Sequence, residues 1–186
     1  MLTVITGGMF AEKSTELLRR GRRLKRAGKK VGYFKPAFDS RYSEHEIVTH
    51  DGAKVEAFII KTNAPIQITS REYFNNFDVF LIDEVQFFDS TITLAVQTLL
   101  EAGKEVIVAG LDMDYKAQPF FVTAGLMSIA EDVVKLKAVC AECKSDAWVS
   151  FKAENGKRLQ LGTNEYTPLC RKCFNIRRRA IEDEVF

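Results

Sequence analysis

The chain has 186 residues, 46% of them apolar and 28% charged, with a formal charge of +2. That length suits one full domain plus a small appendage, and the near-neutral balance gives no reason to expect a nucleic-acid or membrane partner. Its longest apolar runs, such as VFLI and VIVAGL, are strand-sized and far too short to cross a bilayer. LTVIT at the start lacks a basic flank and runs directly into Gly7-Gly8, which is unlike an export signal, so a cytoplasmic protein is expected.

Taken in order, strands are predicted over residues 2–6, 30–35, 79–83, 105–110 and 133–139, and helices over 13–27, 91–102 and 122–131. Strand alternating with helix is the pattern of right-handed crossovers, so an α/β fold is expected: a mostly parallel phosphate-loop-type sheet flanked by helices. In the first helix Leu17, Leu18 and Leu24 gather on one side, while Arg19, Arg22, Arg23 and Arg26 read as its solvated face. The turns AGKK and EAGKE close the first and second helices, each with a glycine just past the last turn. Residues 38–56 are polar and weakly periodic, hence a loop or a mobile hairpin. From Cys140 the character changes to charged, cysteine-paired segments and then a basic-to-acidic tail. The division expected is a nucleotide-binding domain over 1–138 and a small zinc-ribbon domain over 139–186.

The opening stretch TVITGGMFAEKST places Gly7, Lys13 and Ser14 at three of the four fixed positions of a phosphate loop between a strand and a helix. Backbone N–H groups of such a loop converge on phosphate oxygens, the lysine reaches the outer phosphates and the hydroxyl ligates Mg²⁺. An ordinary strand-to-helix turn accounts for this stretch alone equally well. Glu12 stands where the fourth position requires glycine. If the backbone there needs φ > 0, a side chain costs roughly 1–2 kcal/mol, and the carboxylate opposes a bound phosphate.

VFLIDEVQFFD is an apolar strand ending in adjacent carboxylates, Asp83 and Glu84. Alone, such a pair reads as capping or solvation; two crossovers after a glycine loop that ends in Lys-Ser it reads as the pair phosphoryl transfer needs, one carboxylate to hold the metal's shell and another to take the acceptor's proton. Two neighbours on an extended backbone point to opposite sides and can divide those roles. The next strand ends in AGLDMDYKAQPFF, where Gly110, Asp112 and the aromatic-proline-aromatic run could close over a flat ligand or form a core-anchored turn. CAEC (140–143) and CRKC (170–173) are two C-x-x-C knuckles. They predict that Cys140, Cys143, Cys170 and Cys173 hold a structural Zn²⁺ with no position open for catalysis, ahead of free or redox cysteines and of an iron–sulfur centre. His45 and His50 are read as loop residues.

In this order the pieces resemble the type II thymidine kinases, the zinc-containing cytosolic family. TGGMFAEKSTELLRR is similar to its phosphate loop, KPAFDSRYS to its Asp-x-Arg-Tyr segment and IDEVQFF to its acidic strand end. GLDMDYKAQPF is similar to its substrate lasso, and VVKLKAVCAEC with NEYTPLCRKC to its zinc ribbon. The resemblance implies transfer of the γ-phosphate of ATP, with Mg²⁺, to the 5′-hydroxyl of thymidine or deoxyuridine in nucleotide salvage. It assigns Gly7, Gly8, Met9, Phe10, Ala11, Glu12, Lys13, Ser14 and Thr15 to the ATP side, together with Asp39, Arg41, Asp83 and Gln86. Glu84 is implied as the general base, and Met9, Phe87, Leu111, Tyr115, Phe120 and Tyr166 as the nucleoside pocket. A homotetramer and feedback inhibition by thymidine triphosphate are implied as well.

The chain departs from the family pattern at Gly8, where the family has proline, at Tyr115, often phenylalanine, in a shortened stretch between Leu161 and Tyr166, and at Glu12. Three outcomes stay open: an active thymidine kinase, a relative that binds nucleoside but phosphorylates poorly because of Glu12, and a zinc-ribbon nucleic-acid module. The last lacks a basic stripe with exposed aromatics.

Overall fold

The computed structural model describes residues 1–37, 46–49, 52–152 and 165–183, with side chains to residue 180. Six strands form one sheet: β1 (Leu2–Thr6), β2 (Val31–Pro36), β5 (Phe58–Ile60), β6 (Val79–Ile82), β7 (Glu105–Gly110) and β8 (Asp132–Lys135). Their order is β5-β2-β6-β7-β1-β8, and every pairing is parallel. A parallel sheet needs cover on both faces, and the strand sequences show why this one has it. In β6, Val79 and Leu81 join the core against α1 (Lys13–Arg26), whereas Phe80 and Ile82 join the core against α3 (Thr91–Glu101) and α4 (Phe121–Ile129). A run apolar at every position is thus split between two cores by the two-residue period.

The helices follow from the same patterning. Buried Ile92, Ala95, Val96 and Leu99 form one stripe of α3, at the spacing of a helix face that meets a sheet. In α1, Leu17 and Leu18 are buried and Leu24 is half-buried, while Arg19, Arg22, Arg23 and Arg26 are exposed as expected. Each fully buried leucine or isoleucine contributes about 1.5–3 kcal/mol. Both helices end at glycines with positive φ, Gly28 and Gly103.

Two features between and beyond the expected elements, an added strand with its helix and a helical tail, differ from the sequence reading. Strand β5 and helix α2 (Arg71–Asn76) extend the sheet edge, joined by an aromatic cluster in which Phe34 stacks on Phe80 at 5.4 Å and meets Tyr73 edge-on at 5.2 Å. Within 38–56, β3 (Glu46–Val48) and β4 (Lys54–Glu56) pair as an antiparallel hairpin, one of the two forms expected. The tail is a helix, α5 (Arg171–Asp183), whose Cys173 and Phe174 are buried against β9 (Val149–Phe151) and β10 (Thr167–Leu169). Strands β9 and β10 form a separate antiparallel pair. No helix among the described residues is long and apolar enough to cross a membrane.

Candidate active site

Parallel strands deliver their following turns to one edge, and the carboxyl ends of β6, β7 and β1 lie side by side there. Ligands of such sheets bind at that edge.

The turn after β1 is a built loop. Gly7 has φ 142°, and a Cβ there would stand 2.3 Å from the Leu136 carbonyl oxygen, so no other residue fits. Phe10 and Glu12 take left-handed conformations on either side of Ala11, and alternating handedness turns successive N–H groups toward one concavity. Ala11 itself is buried in a small cluster with Ala138 and Ala147. Glu12 caps α1 at φ 57°, ψ 30°, the conformation that favours glycine, and its side chain is exposed. Its carbonyl accepts the first helical bond, from Glu16 N–H at 3.0 Å. The Lys13 ammonium donates back to the Gly8 carbonyl at 2.8 Å.

The loop is joined to the acidic strand end. The Ser14 hydroxyl donates to Asp83 Oδ2 at 2.8 Å, and Glu84 N–H donates to Asp83 Oδ1 at 3.0 Å. Strand β6 stops at Ile82, one residue earlier than predicted, and Glu84 is left-handed at φ 52°. The two carboxylates are therefore separated by a tight turn rather than by an extended backbone. Gln86 Nε2 donates to Glu84 Oε2, and Gln86 Oε1 accepts the Leu111 N–H at 3.0 Å. Gln86 is buried, so Glu84 is held from the far side by a residue anchored to the end of β7.

The segment after β7 folds back on itself. Asp114 Oδ1 accepts the N–H groups of Lys116 and Gln118 at 2.9 and 2.8 Å, and Phe120 N–H donates to the Asp112 carbonyl at 2.9 Å. That doubled loop buries Tyr115 and Phe120. A single cleft is bordered by Met9, Phe10, Glu12, Lys13, Ser14 and Thr15 on one wall and by Asp83, Glu84, Gln86 and Phe87 on the floor. Leu111, Tyr115, Phe120 and Tyr166 border it as well. Gly7, Gly8 and Ala11 shape the loop's backbone without bordering the cleft. Asp39, Arg41, His45 and His50 lie outside the described residues.

Three contributions escaped sequence reasoning. Lys35, 3% exposed at the end of β2, borders the cleft and donates to the Glu46 carbonyl at 3.0 Å; a lysine closing the apolar run VGYF was the available signal. The β3 strand and Thr49 form a further wall. Ser150 arrives from β9 and borders the cleft, with no local signal in the sequence. Lys152, two residues on, ion-pairs with Glu165 and lies over the Tyr166 ring at 5.9 Å.

The four cysteines meet as predicted, their sulfurs all within 4.8 Å of one another. The Ser145 hydroxyl holds the Cys143 thiol below its ordinary range, and the Cys173 N–H does the same for Cys170, whereas the Cys170 sulfur pushes the Cys173 thiol well up. Four soft donors at this spacing fit zinc with every position filled by protein. At the loop, a hydroxyl and a carboxylate oxygen in contact are hard donors that fit magnesium.

A family profile described as thymidine kinase matches residues 1–174. The thymidine kinase of Porphyromonas gingivalis is 43% identical over 93% of this chain and 84% of its own length. That of Bacteroides fragilis is 41% identical over 98% of this chain and 89% of its own. Among solved structures, AMPPCP-bound DnaA from Aquifex aeolicus aligns at a TM-score of 0.44 and 17% identity, over 73% of this chain and 40% of that one. With a matching profile over nearly its whole length and relatives above 40% identity, the chain belongs to the thymidine kinase family.

Proposed function

We propose that this protein phosphorylates thymidine or deoxyuridine at the 5′-hydroxyl, using ATP, in nucleotide salvage. The observation that carries the proposal is the 2.8 Å bond from Ser14 to Asp83, which joins the phosphate loop to the acidic turn inside the cleft that Glu84 borders.

The roles follow from position. The N–H groups of the loop cradle the phosphates of ATP, and Lys13 exchanges its bond to the Gly8 carbonyl for phosphate oxygens. Ser14 and Asp83 are the residues that would hold Mg²⁺, which neutralises charge on the transferring phosphoryl group. Glu84, oriented by Gln86, takes the 5′-hydroxyl proton as the nucleoside oxygen bonds to the γ-phosphorus and the bond to the leaving ADP oxygen breaks. Tyr115, Phe120 and Tyr166, with Met9, Phe87 and Leu111, enclose the base and sugar, and the doubled loop offers its backbone to the base edge. Asp39 and Arg41 are assigned to metal and phosphate by resemblance. Zinc on the four cysteines is structural. A homotetramer in the cytoplasm, inhibited by thymidine triphosphate, completes the reading.

The test is direct. Purified protein with ATP, Mg²⁺ and thymidine is expected to form thymidine monophosphate and ADP in equal amounts. Hydrolysis of ATP without nucleotide product, or no turnover with either nucleoside, would overturn the assignment.

A further inference from the structure

We infer that Ser150 is a positioning residue for the phosphate loop, through which the small second sheet sets the shape of the ATP site. The inference rests on the kinase reading above for its kinetic consequence, but not for its geometry. Ser150 is 4% exposed, and its Oγ accepts the Met9 N–H at 2.7 Å across 141 residues of sequence. Met9 is the loop's third residue and is itself buried. A hydrogen bond at this point fixes the direction in which the loop leaves Gly8 and begins its left-handed turns at Phe10 and Glu12.

The surroundings are built for that contact. A Cβ at Gly8 would lie 3.0 Å from Ser150 Oγ and 3.7 Å from its backbone nitrogen, so the hydroxyl sits tight against the loop while the β9 backbone stands at ordinary contact distance. Strand β9 is itself well packed. Val149 and Phe151 are buried with Leu169, Phe174 and two of the cysteines, and the Trp148 N–H donates to the Leu169 carbonyl at 2.7 Å. Ser150 therefore sits on an element whose position is set by the cysteine-bearing region and transmits that position to Met9. Removing the hydroxyl leaves a buried N–H without this acceptor, and the loop gains conformations that no longer present its amides together.

The experiment measures ATP and thymidine dissociation constants and the amide hydrogen exchange of Met9 in S150A, S150T and S150V. S150A is expected to weaken ATP binding and to speed Met9 exchange, each by about tenfold, the weight of one hydrogen bond. Thymidine affinity should fall by less than ATP affinity, because Ser150 reaches the nucleoside pocket through Met9 alone in this reading, while Tyr115 and Phe120 are anchored by the doubled loop. S150T, which keeps the hydroxyl, should restore both values, and the isosteric S150V should not. If S150A fails to fold, the threonine–valine pair carries the comparison alone. Unchanged Met9 exchange in the variants lacking the hydroxyl would overturn the inference. So would a loss of thymidine affinity with ATP affinity intact, which would make Ser150 a wall of the nucleoside pocket. A wild-type protein inactive on thymidine would sink the kinase assignment, yet the ATP and exchange measurements would still judge Ser150.

Discussion

Replacing Glu12 with glycine tests how a phosphate loop works with a carboxylate at its head. For the free protein the terms nearly cancel. Relief of the left-handed backbone at φ 57° gains roughly 1–2 kcal/mol. Glycine's extra freedom in the unfolded chain takes back about 0.5–1 kcal/mol, and losing an acidic group at the start of α1 takes back about 0.3–1 kcal/mol. The expected change in unfolding free energy is therefore within about 1 kcal/mol of zero, a shift of a few degrees at most in melting temperature.

With ATP bound the balance changes, and the exposure of Glu12 decides by how much. A carboxylate about 5 Å from a phosphate charge costs about 3 kcal/mol at an effective dielectric of 20, but only about 0.8 kcal/mol in water. An exposed side chain lies near the second limit, so E12G should tighten ATP about fourfold at moderate salt, with kcat little changed. The assay is initial-rate thymidine phosphorylation against ATP concentration, beside calorimetric unfolding without ligand. A gain of a hundredfold or more would mean that the carboxylate is pressed unscreened against phosphate. Weaker ATP binding in the variant would mean that Glu12 makes a favourable contact there. Either result refutes the screening argument.

Glu84→Gln should lower kcat by about 10²–10⁴ with thymidine binding nearly intact; lost thymidine affinity would remove Glu84 from the proton-accepting role. Gln86→Ala removes the buried side chain that holds Glu84 from behind and should reduce kcat about tenfold or more while ATP affinity holds, read by the same rates. With zinc on the four cysteines as proposed, chelation should melt β9, β10 and α5 ahead of the main sheet in hydrogen exchange, because a metal there would supply folding energy to so small a core. Glu16, held down to about 2 by Arg19 and then Arg20, contributes stability above its unfolded value near 4.5 that is lost as pH falls toward 2. Because Arg19 is 58% exposed, solvent screening limits this to about 1 kcal/mol, so E16Q should match that deficit at pH 7 and converge with the wild type near pH 2 in denaturant titrations.

What the sequence could and could not disclose divides along the range of the interactions involved. The strand-helix order, the glycine-lysine-serine loop, the adjacent Asp83-Glu84 carboxylates and the cysteine knuckles are local patterns, each carried by neighbours in the chain, and all were legible; the left-handed turn at Glu84 and the early end of β8 at Lys135 were not. Strand β5 and helix α2 were not, because three and six residues are too short to show a period. Their identity comes from Phe58, Tyr73 and Phe77 packing on Phe34 of a distant strand. Helix α5 was hidden for a related reason: its charged surface reads as a tail until Phe174 finds Trp148 and Phe151. Within the cleft the same rule holds more sharply. Lys35 acts through a partner 11 residues away, and Ser150 through one 141 residues away. An isolated serine in a strand carries no mark of such a duty. The left-handed backbone at Glu12 shows the converse, since its neighbours Gly7, Lys13 and Ser14 demanded that turn and the fold adopted it against the residue's own preference. Loop geometry here is imposed by the sheet edge and by the packing of Ala11 beneath it, and the side chain at position 12 is accommodated by pointing it into water.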